Sequence, residues 1–185
     1  MLKTTLVLIA TILMTLFGAT ASAQDLNSLA RQMQEHADRV AINAVLVQYT
    51  TGLDQVDPDL YADTFTADAR FYQGASVESA EIMADGKAAI RKIVSDLRES
   101  DAKRNAERAA EWEGEGEPPV YLRHHVMTNA VVEFIDDHTA RHRAYWQTVS
   151  GSGRDMNVIA MGSYEDTLVK EDGRWLISKR YLLRR

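Results

Sequence analysis

Residues 121–134, YLRHHVMTNAVVEF, form the stretch on which the fold turns. Its β-branched and aromatic residues read as a strand. Strand side chains alternate between faces, so Val126, Thr128, Ala130, Val132 and Phe134 share one face. His125, Met127, Asn129 and Val131 share the other. The adjacent histidines His124 and His125 therefore point in opposite directions, and only one of them can enter a cavity that this strand lines.

The chain stays β from here to its end. A strand over 120–135 turns at Asp136-Asp137, and a second strand runs over 139–150. A Gly-Ser-Gly turn leads to a third over 157–170. Glu171-Asp172-Gly173 then gives a hairpin signal of the Asp-Gly kind before a last strand over 174–183. Long strands with short turns predict an antiparallel meander in one curved sheet.

Upstream of this stretch the pattern is helical. Leu26, Leu29, Met33, His36 and Val40 step by three or four, and Ile42, Val45, Leu46, Tyr49 and Leu53 continue on a rotated face. The part up to His36 is polar enough for a loosely docked leader. The later part is a core helix that ends near Gly52, with Asp54 at its end or in the turn. Asp57-Pro58 opens a short helix through Phe65, with Asp57 as N-cap. A short strand over 69–73, a loop over 74–85 and a helix over 87–97 follow. Residues 95–117 hold eight acidic and four basic side chains, with no apolar stripe before Trp112. They read as an exposed helical insert and a loop, broken by Gly114, Gly116, Pro118 and Pro119. Helices first and strands later is the order of an α+β fold with helices packed on one face of the sheet.

Residues 1–23 carry a different signal. Lys3 precedes the apolar run 6–17, and Ala21-Ser22-Ala23 has the form of a cleavage site. A secretory signal peptide cleaved after Ala23 implies a periplasmic or secreted protein, with residues 24–185 as one domain. The absence of Cys leaves that domain to its core, without disulfides. The formal charge of −6 argues against a nucleic-acid partner, and cleavage would leave no membrane attachment.

His125 is the first candidate for chemistry, because imidazole exchanges protons near neutral pH. A strand histidine also suits a purely structural hydrogen bond. Asp54 follows an apolar helix whose dipole disfavours a carboxylate at that end, yet a solvated turn aspartate fits there too. If the two meet, they make an acid–base unit. Tyr49, Tyr72, Asn129, Tyr145, Trp146, Tyr164 and Arg180 lie in segments that would surround such a pocket. His124, His125, His138 and His142 form no established metal-ligand spacing. No phosphate loop and no G-x-S-x-G is present.

The segment 39–74, RVAINAVLVQYTTGLDQVDPDLYADTFTADARFYQG, with L-R-H-H-V-M-T-N and the closing D-G-R-W-L-I-S-K-R, resembles the SnoaL-like branch of the NTF2-like superfamily. The resemblance implies a cone-shaped α+β barrel, with N-terminal helices packed on a curved mixed or antiparallel sheet around a deep apolar pocket. Its motifs are most similar to those of scytalone dehydratase, bile-acid dehydratase and hexachlorocyclohexane dehydrochlorinase. Those enzymes use a His–Asp dyad without metal or organic cofactor. By that resemblance His125 and Asp54 are catalytic, and His125 lies four residues before Asn129 as in the family. Tyr49, Tyr72, Asn129 and Arg180 bind substrate. Glu171 stands where the dehydrochlorinase has an arginine, and Arg180 would supply the cation instead. The implied function is a cofactor-independent lyase or isomerase acting on a small apolar cyclic substrate, in a homodimer or homotrimer. The alternative is a non-catalytic module that holds a hydrophobic ligand or a partner protein.

Overall fold

Two consecutive segments, one helical and one mixed, make up the molecule. The computed structural model describes residues 2–118, 120–152 and 155–184, with side chains from residue 23 onward. The run and cleavage motif expected of a signal peptide lie almost wholly outside the described side chains, as do Pro119 and Gly153 of the expected loop and turn. Residues up to Val40 form one unit, and the chain from Ala41 forms the second. Helix α1, Leu2–Asp54, runs through the first unit and supplies the first helix of the second. In the first unit, Arg39 pairs with Glu35 one turn earlier at 2.7 Å.

In the second unit the α+β expectation holds. After α1 comes α2, Pro58–Ala62, capped by the Asp57 carboxylate, which accepts from the Asp59 and Leu60 N–H groups at 3.0 Å each. Strand β1, Phe65–Gly74, is longer than its sequence suggests. The stretch expected as a loop over 74–85 contains strand β2, Glu81–Asp85, paired antiparallel with β1. Its residues Glu81-Ile82-Met83 are exposed, so burial left no alternation to read. Helix α3, Lys87–Ala110, is continuous. Ile90 and Val94 anchor its first half in the core, and the good helix formers beyond carry it on without an apolar stripe.

The meander is formed by β3 (Leu122–Asp136), β4 (Thr139–Ser152), β5 (Asp155–Glu171) and β6 (Arg174–Arg184), each antiparallel to the next. Strand β1 pairs parallel with β6, so the six-stranded sheet is mixed, in the order β2-β1-β6-β5-β4-β3. It is open, and β2 and β3 are its edges. On β4, Ala140, His142, Ala144, Trp146, Thr148 and Ser150 are all buried, while Arg141, Arg143 and Tyr145 are exposed. That alternation defines the inner face. Ile42, Leu46, Tyr49 and Leu53 of α1 are buried with that face in one core.

The alternation expected along residues 121–134 fails at one place. Thr128 pairs with Tyr145, but the next paired residue is Val131, opposite Arg143. Three steps on β3 thus oppose two on β4, a β-bulge, and Asn129 within it takes a φ of 54°. Before the bulge His125 and Met127 face inward; after it Val132 and Phe134 do, and Val131 is exposed.

Candidate active site

The last turn of α1 positions the first functional group. Gly52 lies within this turn and does not end it. A Cβ at Gly52 would sit 2.7 Å from the backbone nitrogen of Tyr61, so only glycine lets α1 pass this close to α2. Two residues later Asp54 ends the helix. A carboxylate here faces the negative end of the helix dipole and needs donors from elsewhere. Strand β3 provides them. Asp54 Oδ1 accepts the His125 backbone N–H at 2.9 Å and the His125 Nδ1–H at 2.7 Å.

A carboxylate can only accept, so this bond fixes the proton on Nδ1 and leaves Nε2 with a lone pair. The side chain of His125 is 12% exposed and that of Asp54 is 23% exposed. The pair is therefore sheltered but reachable. His124, on the other face and more than half exposed, still brings its Nδ1 to 3.6 Å from Asp54 Oδ2. The carboxylate thus stands between both histidines, with the hydrogen bonds going to His125.

The strand end that carries this pair is held from two sides. Ser150 Oγ–H donates to the Leu122 carbonyl at 3.0 Å. The charged half of α3 lies against it: Asp101 accepts from Arg123 at 3.0 Å, and the Arg108 guanidinium rests 4.3 Å from the centre of the Tyr121 ring. The insert, read from the sequence as an exposed helical extension that covers a pocket or is partly disordered, is helical through Ala110 and is fastened to the strand bearing His125.

The other predicted site residues separate. Tyr49, five residues before Asp54, is buried at 2% exposure in an aromatic cluster. Its ring lies 4.9 Å from Tyr61 and 5.8 Å from Tyr164. Burial, then the neighbouring Tyr49, pushes the Tyr61 and Tyr164 phenols well above their ordinary range, so both stay protonated. Arg180 is not a free cation facing a ligand. It is fully buried, its Nε and Nη2 donate to Asp166 at 2.8 and 2.6 Å, and it lies between the rings of Tyr49 (3.8 Å) and Tyr164 (4.2 Å). Burial opposes the guanidinium charge, but Asp166 outweighs it and holds Arg180 above its ordinary value. Burial likewise opposes the Asp166 carboxylate, and Arg180 prevails, keeping it below the ordinary range.

Tyr72 and Asn129 leave the interior altogether. Phe71 pairs with inward Arg180, so the next residue, Tyr72, faces outward. There it stacks on Tyr181 with ring centres 4.6 Å apart. Asn129 is turned to the outer surface by the bulge, where with Val131, Arg143 and Tyr145 it lines a shallow groove of about 320 Å³. The fourfold spacing from His125 does not carry it to the dyad, because alternation is broken between them.

One buried group escaped the sequence reading as a unit. His142 Nδ1 lies 2.7 Å from Asp166 Oδ2, with both side chains fully buried. Each sits on the inward period of its strand, among Ala140, Ala144 and Trp146 or between Tyr164 and Leu168. A charged residue on an apolar period was the available signal.

Residues 34–181 match the family model of the SnoaL-like domain. No curated protein matches the chain. Among solved structures, similar folds include an NTF2-like protein with a cystatin-like fold from Novosphingobium aromaticivorans. It has a TM-score of 0.62 and 15% identity, over 84% of this chain and 87% of that one. A candidate scytalone dehydratase from the same organism superposes with a TM-score of 0.57 at 20% identity, over 83% of this chain and 88% of that one. ActVI-ORFA from Streptomyces coelicolor gives 0.59 at 18% identity, over 80% and 97%. Identities this low speak for the fold alone.

Proposed function

From its membership of the SnoaL-like family, together with its bonded Asp54–His125 pair, we propose that this protein is a cofactor-independent lyase or isomerase of the dehydratase type. The observation that carries the reading is the double acceptance by one Asp54 oxygen, at 2.9 Å from the His125 backbone N–H and 2.7 Å from its Nδ1. It sets both the tautomer and the orientation of the ring. His125 Nε2 is then the base that takes a proton from an acidified C–H, and Asp54 faces the imidazolium that forms. The electron pair released from the C–H bond forms the new double bond as water or halide leaves the neighbouring carbon, or it relocates within the substrate in an isomerisation. The substrate is a small, mainly apolar cyclic molecule, the class of compound that the family resemblance implies.

Turnover of a panel of hydroxylated and halogenated cyclic compounds tests this. Once a substrate is found, His125→Ala should lower kcat by about 10²–10⁴-fold, the usual worth of a general base, with an unchanged circular dichroism spectrum. Full turnover in the folded variant would remove the proposal.

A further inference from the structure

Helix α3 changes character halfway along. Ile90 and Val94 are fully buried, and Leu97 packs against the same core. Arg91 pairs with Asp59 at 2.7 Å, and Arg98 Nε donates to the Val56 carbonyl at 2.8 Å. These contacts tie the first half to α2 and to the turn before it. Beyond Arg98 the same face continues at helical spacing as Asp101, Arg104 and Arg108. No side chain of this outer half is buried.

What holds the outer half is polar. Arg123 Nη2 donates to Asp101 Oδ1 at 3.0 Å, and Arg104 donates to the same oxygen at 3.2 Å. The guanidinium of Arg108 lies 4.3 Å, and that of Arg104 5.7 Å, from the centre of the Tyr121 ring. Past these contacts Arg108, Trp112, Tyr121 and Ser152 border a cleft of about 320 Å³. The end of the helix therefore stands off the strands instead of packing on them. A segment docked by a few polar contacts, without buried apolar side chains, opens at a lower cost than the core.

Arg123 joins this half to the site. It lies two residues before His125 on the same face of β3, roughly 7 Å along the strand. Its side chain is 15% exposed, beside 12% for His125. Strand β3 is an edge of the sheet, so no further strand steadies it. We propose that Arg123 is a positioning residue that latches the outer half of α3 over the rim of the Asp54–His125 site, and that a ligand enters when the Asp101–Arg123 bond parts. The entry of a ligand rests on the function argued above; the latch does not.

Hydrogen exchange of the full chain, read by mass spectrometry, compares residues 87–97 with residues 99–110. The outer half should exchange faster than the inner half. Its rate should rise about 3–10-fold at about 0.5 M NaCl, where the screening length falls to about 4 Å. Arg123→Gln should show that higher rate at low salt, and Arg123→Lys, which keeps the charge, should restore most of the protection. Arg123→Gln leaves the Asp101–Arg104 pair inside α3, so the change would not come from a weakened helix. Carbethoxylation of His125, located by peptide mapping in the His124→Ala background, should quicken by a similar factor in Arg123→Gln. If Arg123→Gln fails to fold, the salt series on the wild-type protein decides. Equal exchange in the two halves, no response to salt, wild-type exchange in Arg123→Gln or no recovery in Arg123→Lys would each overturn the latch. An unchanged rate of His125 modification would overturn its place at the site. Neither measurement involves turnover. A responsive latch without lyase activity keeps the latch and removes the lyase, and turnover with a salt-insensitive helix does the reverse.

Discussion

Asp54 meets His125 at 2.7 Å, and Asp166 meets His142 at the same distance. The bonds are alike and the surroundings are not. The first pair sits at a helix end and on an edge strand, and both side chains are partly exposed. The second lies on two inner strands at zero exposure, with Arg180 closing on the same carboxylate. At the first, the imidazole can exchange a proton with a ligand while the aspartate keeps its charge partly solvated. At the second, the carboxylate is already neutralised by a guanidinium, and moving any charge means moving it in a dry interior. A His–Asp bond is therefore not in itself a catalytic sign; under the proposed function, access and a carboxylate without an arginine partner among the described residues set Asp54–His125 apart.

Matched substitutions break this comparison most sharply. Asp54→Asn should remove most activity, by about 10²–10⁴-fold, while the melting temperature stays close to wild type. Asp166→Asn should do the opposite first. It leaves Arg180 buried without its counter-ion, at about 3–5 kcal/mol of stability, read as the shift in the urea midpoint. If both variants lost activity at unchanged stability, the two pairs would not have the different roles assigned to them.

Gly52→Ala comes next. It forces a methyl to 2.7 Å from the Tyr61 backbone, and overpacking of this kind costs about 1–3 kcal/mol. Because Asp54 is two residues on, the variant should also lose part of its activity, and chemical denaturation with initial rates on the same preparation reads both.

Acid separates the pairs by stability alone. Asp166 is held below its ordinary value of 3.8, so the unfolded chain takes up that proton first as pH falls. Its contribution is fully present above 3.8 and declines through and below it. Melting temperature should therefore fall on acidification in that range, and Asp166→Asn should flatten the slope. An unchanged slope would deny that the buried network is ionised.

How much of this was legible can be told residue by residue. The meander was, because β4 alternates cleanly and the turns between its strands carry Asp-Gly and Gly signals. The cap at Asp57 was legible for the same reason, a local rule acting locally. Strand β2 was not, since its residues are exposed and owe their conformation to pairing with β1. The bulge at Asn129 was not either, because a positive φ at one asparagine depends on the partner strand, and it turned Asn129 away from His125. Tyr72 missed the interior by parity: the register opposite β6 puts Phe71 inside. Arg180 was singled out as a cation, but its partner Asp166, on the neighbouring strand, is set by register alone. For the dyad, the family resemblance named both members, and strand alternation gave His125 its own face without saying what it meets there.

His124 gives the smallest and most discriminating effect. Its Nδ1 stands 3.6 Å from Asp54 Oδ2, beyond a hydrogen bond, and its side chain is more than half exposed. An interaction of this kind between exposed groups contributes about 0–1 kcal/mol. His124→Ala should therefore change stability by less than about 1 kcal/mol and leave the rate within a few-fold, since Asp54 keeps both bonds to His125. A loss comparable to that of His125→Ala would mean that the carboxylate serves two bases, and that strand alternation does not decide which histidine acts.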